Sequence, residues 1–126
     1  MLEKEILSKI VETKEYLHQD REFGKFDPNG LGFYSYDDEI INMISAVTEN
    51  EEYRDIYISN MKEIFQKGDI SNLNFEECIT YFHWLWTAER MAVGTINRQI
   101  KTGRFESMLN LLEKHLNSGS YWIIFL

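Results

Sequence analysis

The sequence predicts a single domain over residues 1–126, mainly α-helical with a minor β element. Apolar residues recur at spacings of three and four along most of the chain, as in amphipathic helices. Residues 75–90 are apolar nearly all round, which predicts a central helix with the other helices packed around it. Residues 23–36 and the C-terminal tail interrupt the helical pattern and predict the β element. We expect five or six helices in all.

Composition excludes several classes of protein. Apolar residues make up 44% and charged residues 27% of the 126, which is typical of a globular domain. A net charge of -8 disfavours a general nucleic-acid binder, because non-specific affinity for phosphates comes from dense Lys and Arg. No apolar run approaches the roughly 20 residues that span a bilayer, and the charged N-terminus is unlike a signal peptide. We therefore expect a cytoplasmic protein without a membrane segment.

The first helix is predicted over residues 2–19, and a turn follows it. The apolar stripe of this helix consists of Leu2, Ile6, Ile10, Thr13 and Leu17. The sequence Asp27-Pro28-Asn29-Gly30 predicts a tight turn, because proline fixes φ at the second position and Asn and Gly tolerate positive φ. The aromatic residues that flank this turn predict a structured loop with one or two short strands.

Two helices are predicted between this loop and the central helix. The first begins near residues 35–37, where Ser35 and Asp38 fit a capping box, and runs to about residue 48. The second is predicted over residues 53–66 and ends before Gly68, a residue suited to a left-handed cap. Its inward face would consist of Tyr53, Tyr57, Met61, Ile64 and Phe65.

The central helix begins with a capping pattern, Asn74 and Glu77, and contains one charge on its apolar face. Glu89 falls where the helical spacing calls for an apolar residue. A buried carboxylate is costly unless it is paired, so we predict a structural ion pair with an arginine outside the helix. The arginines considered for this cluster are Arg90, Arg98 and Arg104, with Arg98 and Arg104 preferred as partners.

Two more helices are predicted after the central one, over residues 92–101 and 105–116. Val93, Ile96 and Ile100 would face inward in the first, and Gly103 would end it. This outline is also that of a helix-turn-helix, but the second helix offers Lys114 as its only base beside two glutamates. Binding to nucleic acid is therefore not expected.

The tail Tyr121–Leu126 is apolar and β-prone. Six residues are too few to cross a membrane. We expect the tail to dock as an extended segment, either on residues 23–36 of its own chain or on a neighbouring copy, so a homodimer stays open as an alternative.

The negative charge is concentrated in the first half of the chain. Residues 1–60 contain 14 acidic and 6 basic residues, whereas residues 61–126 contain 7 of each. An acidic surface attracts and selects basic partners through complementary potentials. The candidate partner-binding residues are Asp37, Asp38, Glu39, Glu49, Glu51 and Glu52.

No catalytic signature, metal site or cofactor motif is evident in the sequence. His18, His83 and His115 fall on three different predicted helices, each without a second ligand at i+4. The single cysteine, Cys78, is predicted to face the core, and one cysteine excludes an intramolecular disulfide. We therefore predict no catalytic residue, no metal and no cofactor.

The stretch from Glu89 to Leu116 resembles the C-terminal part of an uncharacterised bacterial family, a domain of unknown function found in short single-domain proteins. The matching residues are Glu89, Arg90, Gly94, Gly103, Leu109 and Leu112, while Met91 stands where the family tends to have Phe. The segment YSYDDEIINMISAV is similar to the family's mid-chain helix. The resemblance implies a small helical bacterial protein and supplies no activity.

Three functional hypotheses follow from these patterns. The preferred one is a non-enzymatic, acidic protein-binding module that engages a basic partner, as an inhibitor or an immunity-type protein would. The first alternative is a small-molecule-binding protein or enzyme that uses Glu89, Arg90 and the Trp84–Trp86 region. The second is a DNA-associated regulator that uses residues 92–116.

Overall fold

The described part of the chain folds into a bundle of α-helices with one small antiparallel sheet. The computed structural model describes residues 3–27 and 32–118, without the side chain of Lys67. Its helices are α1 (Glu3–Leu17), α2 (Asp38–Thr48), α3 (Lys62–Lys67), α4 (Phe75–Met91), α5 (Thr95–Lys101) and α6 (Arg104–Ser118), and its strands are β1 (Gly24–Phe26) and β2 (Tyr34–Tyr36). The predicted mainly α fold with a minor β element is confirmed. None of the described helices is long and apolar enough to span a bilayer.

Four of the helices make up the body of the bundle. Helix α1 packs against α2 and α6, and α4 packs against α2, α5 and α6. Lys14 pairs with Glu113 while His18, just beyond the end of α1, contacts Glu106, so α1 and α6 run in opposite directions. The Tyr16–Asp37 hydrogen bond likewise joins the end of α1 to the start of α2. The end of α1 and the start of α2 therefore meet beside the sheet.

Helix α4 contributes more buried residues than any other described element, in agreement with its apolar sequence. Its capping box is present: Asn74 Oδ1 accepts from the Glu77 N–H at 2.9 Å, and Glu77 Oε1 accepts from the Asn74 N–H at 2.8 Å. The buried residues of this helix are Phe75, Cys78, Ile79, Thr80, Tyr81, Phe82, Trp84, Leu85 and Ala88. Because these residues lie around most of its circumference, α4 contributes to the core on several sides at once.

The predicted third helix is largely absent. Helix α3 begins only at Lys62, and the chain before it forms turns and an extended segment that exposes Tyr57. The Ile58 N–H donates to Thr80 Oγ1 of α4 at 3.1 Å. Because the Ile58 N–H is bound to α4, residues 53–61 lie along α4 and do not form the regular hydrogen bonds of a helix of their own.

The two strands confirm the β element expected near residue 30. They pair antiparallel, with Gly24 opposite Tyr36 and Phe26 opposite Tyr34. A Cβ on Gly24 would lie 2.7 Å from the Tyr34 ring and 2.8 Å from the Tyr36 ring, so only glycine fits there. Most of the predicted turn, and the tail that was expected to dock nearby, lie outside the described residues.

The predicted capping box at the start of α2 is wrong. Ser35 belongs to strand β2, where it pairs with Lys25, and it is therefore unable to cap the helix. The N-cap residue is Asp37, whose side chain makes no capping hydrogen bond. Its carboxylate is bound by Tyr16 of α1 and by Arg21 of the segment that follows α1.

Alkaline pH is expected to destabilise the fold from about pH 9 to pH 12. Burial raises the pKa of the Cys78 thiol from 9.0 to about 12, and burial also raises the pKa of Tyr81 above 10. The folded protein keeps these protons where the unfolded chain releases them, so stability is full below the unfolded pKa and is lost as pH rises through the folded one. Urea denaturation at a series of pH values would measure the loss.

Two variants test this assignment. In Cys78→Ala the decline should begin about one pH unit later, because tyrosines with an ordinary pKa near 10 then titrate first in the unfolded chain. Tyr57→Phe, at a side chain that is 51% exposed, retains Cys78, so the decline should still begin near pH 9. A stability that stays constant between pH 9 and pH 11 in the unmodified protein would contradict the assignment.

Candidate functional site

The structure divides the acidic residues predicted to bind a partner into two groups. Asp38 and Glu39 are exposed in the first turn of α2, whereas Glu49, Glu51 and Glu52 are exposed just beyond its end. An 11-residue helix is about 16 Å long at 1.5 Å per residue, so the groups lie at opposite ends of α2. The six candidates therefore do not form one acidic cluster.

Asp37 belongs to neither group, because it is engaged within the chain. Its carboxylate accepts a hydrogen bond from the Tyr16 hydroxyl, and it forms an ion pair with Arg21 at 2.8 Å. Burial, reinforced by this hydrogen bond to Asp37, raises the pKa of Tyr16 to about 12. The Arg21 guanidinium also lies over the Tyr16 ring, 5.3 Å from its centroid. Asp37 thus fixes the junction of α1 and α2 and is a structural residue.

The group beyond the end of α2 borders an open groove between α1 and α2, which we call the α1–α2 groove. Its volume is about 430 Å³, and its lining residues are Lys9, Asn42, Ser45, Ala46, Glu49, Asn50 and Glu51. The Glu49 N–H donates to the Ser45 carbonyl at 2.8 Å, so Glu49 continues the last turn of α2. In residues 3–27 and 32–118, Glu49, Glu51 and Glu52 form no ion pair within the chain. Their carboxylates are therefore open to a partner.

A second recess adjoins the α1–α2 groove along the outer face of α1. It measures about 320 Å³, and its lining residues are Lys4, Glu5, Ser8, Lys9 and Glu12. Lys9 lines both cavities, so the two recesses adjoin at this residue. Sequence reasoning missed Lys9, Asn42 and Ser45, although the spacing of Asn42, Ser45 and Glu49 marks one polar face of α2.

Glu89 lies where α4 meets α5, and its partners are not arginines. Glu89 Oε1 accepts from the Tyr36 hydroxyl at 2.7 Å and from the Ile96 N–H at 2.9 Å, and Oε2 accepts from the Gly94 N–H at 2.6 Å. The Tyr36 hydroxyl in turn accepts from the Asn97 N–H at 3.2 Å. The carboxylate thus binds N–H groups at the start of α5 that have no acceptor within the helix, at the end where the helix dipole favours negative charge.

The geometry at Gly94 makes this capping arrangement possible. Gly94 has φ of 90°, a left-handed conformation that favours glycine, and it turns the chain from α4 into α5. Helix α5 consequently starts at Thr95, three residues later than predicted, and Val93 is 37% exposed instead of buried. Burial and the hydrogen bond to Glu89 raise the pKa of Tyr36 well above its usual value, so this hydroxyl remains a donor.

The predicted ion pair between Glu89 and an arginine does not form in the described part of the chain. Arg98 folds back on its own helix and donates to Thr95 Oγ1 at 3.0 Å. Arg104 donates to the Phe65 carbonyl at 3.0 Å and also to that of Gln66, so it binds the C-terminal carbonyls of α3. Arg90 is exposed on the surface. Backbone N–H groups, which carry no formal charge, take the place of the expected partner.

The Trp84–Trp86 region packs into the bundle and contributes to the contacts between helices. Trp84 is 3% exposed and lies 5.4 Å from the Phe65 ring, measured between centroids. Trp86 Nε1 donates to Thr48 Oγ1 at 3.0 Å and so joins α4 to α2. These contacts favour a structural interpretation of the tryptophans over a role in ligand binding.

Helices α5 and α6, which cover the predicted helix-turn-helix, are held by other elements. Lys14 of α1 contacts Glu113 of α6, and His18, just after α1, contacts Glu106. Helix α4 packs on α6 as well. A recognition helix must present a long face to a DNA groove. The placement of α6 between α1 and α4 therefore favours a structural role.

The histidines have separate surroundings. His18 contacts Glu106, His83 contacts the Tyr53 carbonyl, and His115 contacts the Leu73 carbonyl. Within the residues that the structure describes, no group of three or more His, Cys, Asp or Glu side chains could hold a metal ion.

Comparison with known proteins gives no match at a significant level, whether to protein-family models, to curated proteins or to solved structures. The resemblance of residues 89–116 to a bacterial family thus stays a prediction.

Proposed function

We propose that this protein is a non-enzymatic protein-binding module whose α1–α2 groove receives basic side chains of a protein partner. The observation that carries the proposal is the pair Glu49 and Glu51, two exposed carboxylates at the edge of a groove of about 430 Å³, neither in an ion pair with another described residue. They belong to the half of the sequence that contains the entire net charge of -8.

The chemistry of the groove fits arginine or lysine side chains. A guanidinium group makes paired, charge-assisted hydrogen bonds to a carboxylate, which gives orientation as well as affinity. Asn42 and Ser45 add neutral hydrogen-bonding groups between the acids and α1. One wall of the groove is α1, and the other is α2 with the turn that follows it, where Glu49 and Glu51 lie.

Lys9 lies on the opposite wall of the groove from Glu49 and Glu51, so the groove carries positive charge on one side and negative charge on the other. A basic group of the partner is attracted to the Glu49 and Glu51 side and repelled from Lys9. A matching partner would therefore present its positive charge toward the end of α2. An inhibitor or immunity-type role, with a basic enzyme as the target, is the finer form of this proposal, and a cytoplasmic location is part of it.

The test compares two variants that remove equal charge at opposite ends of α2. The probe is a fluorescent nona-arginine peptide, with nona-glutamate as its negative control. E49Q/E51Q is expected to weaken peptide binding about fivefold to tenfold, since an exposed charge contact contributes up to about 1 kcal/mol. D38N/E39Q should change the affinity less than twofold.

Two further measurements show whether the groove itself is used. Amide chemical shifts in an NMR titration should change most at residues that line the groove, such as Lys9, Ser45 and Glu49. The association rate should fall steeply with salt, because the screening length is about 10 Å at 0.1 M ionic strength. An equal loss of affinity in both variants, or shifts spread evenly over all acidic residues, would reject the proposal.

A further inference from the structure

A separate small pocket lies at the other end of α1, between the segment after this helix and the junction of α5 and α6. Its volume is about 160 Å³, and its lining residues are Leu17, Arg21, Glu22, Phe23, Ile100, Lys101 and Glu106. Sites for cofactors and drug-sized ligands are usually larger, roughly 300 Å³ and above. The pocket is therefore suited to a very small molecule.

The floor of this pocket is apolar. Leu17, Phe23 and Ile100 are half-buried, and each packs against the hydrophobic core of the bundle on its inner side. Their outer sides face the cavity. A ligand with an aliphatic or aromatic side chain would cover this apolar surface and gain from its removal from water.

The rim of the pocket contains two acids and two bases, and one pair among them is loosely held. Arg21 is bound to Asp37 at 2.8 Å, and Glu106 is bound to His18 at 2.8 Å. Glu22 and Lys101 contact each other at 3.5 Å with side chains that are 68% and 59% exposed. Exposed ion pairs contribute little to stability, so these two groups can exchange partners at small cost.

We propose that this pocket binds a free α-amino acid with a large apolar side chain. The ligand's ammonium group pairs with Glu22, its carboxylate pairs with Lys101, and its side chain contacts Leu17, Phe23 and Ile100. Binding replaces one loose ion pair by two. A free amino acid carries both charges beside its side chain, whereas a residue inside a peptide carries neither, so the site selects the free molecule.

An NMR titration of the full chain with L-leucine and L-phenylalanine tests this proposal. Saturable shifts are expected at the amides of Phe23, Ile100 and Lys101. Three matched probes each lack one feature of leucine: glycine lacks the side chain, 4-methylpentanoate lacks the ammonium group, and 3-methylbutylamine lacks the carboxylate. Each of the three should bind at least fivefold more weakly than leucine.

Variants link the binding to the named residues. E22Q and K101Q should each weaken leucine binding about fivefold, whereas E63Q and K62Q change exposed charges on α3 and should leave it unchanged. The groove variant E49Q/E51Q should also have no effect, so this result is independent of the proposed partner site. Equal binding of glycine and leucine, the absence of saturable shifts, or unaltered affinity in both E22Q and K101Q would overturn the proposal.

Discussion

Phe82→Ala is expected to lower the free energy of unfolding by about 3–5 kcal/mol. Phe82 is 0% exposed and lies at the centre of the bundle, with its ring centroid 5.4 Å from that of Tyr81 and 6.2 Å from that of Phe105. Truncation removes these contacts and leaves a cavity that rigid helices fill only partly. Since domains of this kind are stable by about 5–15 kcal/mol in total, the variant would lose a large share of its stability.

The measurement is equilibrium urea denaturation followed by far-UV circular dichroism. Phe33→Ala is the matched control, because the same truncation is made at a side chain that is 59% exposed, and it should change stability by less than about 0.5 kcal/mol. If the two variants lose similar amounts, the assignment of α4 as the centre of the core is wrong.

The sequence predicts those parts of the fold that depend on local interactions. The start of α4 is one example, since Asn74 and Glu77 satisfy each other's backbone N–H groups within four residues of chain. The burial of α4 is another, because a helix with apolar residues on nearly every side has few stable positions outside a core. Such features can be predicted from the sequence because they do not depend on contacts with distant residues.

The error at residues 53–61 has the opposite cause. Apolar residues at helical spacing predict a helix there, but the Ile58 N–H is bound to Thr80, 22 residues further along the chain. A long-range hydrogen bond of this kind overrides a weak local preference, since helix propensity differs among ordinary residues by less than about 0.7 kcal/mol per residue. Local patterns alone leave such a contact unpredicted.

The candidate site likewise combines features that the sequence predicts with features that depend on long-range contacts. The acidic character of the first half is a property of composition, and the exposed carboxylates Glu49 and Glu51 agree with it. The removal of Asp37 from the candidate surface depends on Tyr16 and Arg21, which reach it through the fold. The groove itself depends on the packing of α1 against α2 and has no counterpart in the sequence.

Glu89 illustrates why a correct residue can be given the wrong partner. The sequence marks it as a carboxylate on an apolar face that requires compensation, and the structure provides that compensation through Tyr36 and the N–H groups of Gly94 and Ile96. Backbone N–H groups without an acceptor at a helix start are not marked by any particular residue type in a sequence. A search for opposite charges therefore favours arginine and overlooks them.

Glu89→Ala is expected to lower the free energy of unfolding by about 2–3 kcal/mol, because it leaves partly buried donors without their charged acceptor. The loss should be accompanied by faster hydrogen exchange at the amides of Ile96 and Asn97, since the start of α5 opens locally. Arg90→Ala, at the neighbouring exposed position, should cost less than about 0.5 kcal/mol.

A double-mutant cycle with Glu89→Gln and Tyr36→Phe separates this hydrogen bond from general disruption of the helix. The two substitutions should couple by about 1 kcal/mol, because the tyrosine hydroxyl and the carboxylate are bound to each other at 2.7 Å. The Asn97 N–H of α5 donates to the Tyr36 hydroxyl. Each single variant should therefore accelerate hydrogen exchange at the Asn97 amide. Strictly additive losses, together with unchanged exchange at Asn97, would show that Glu89 and Tyr36 act independently and that α5 starts without their help.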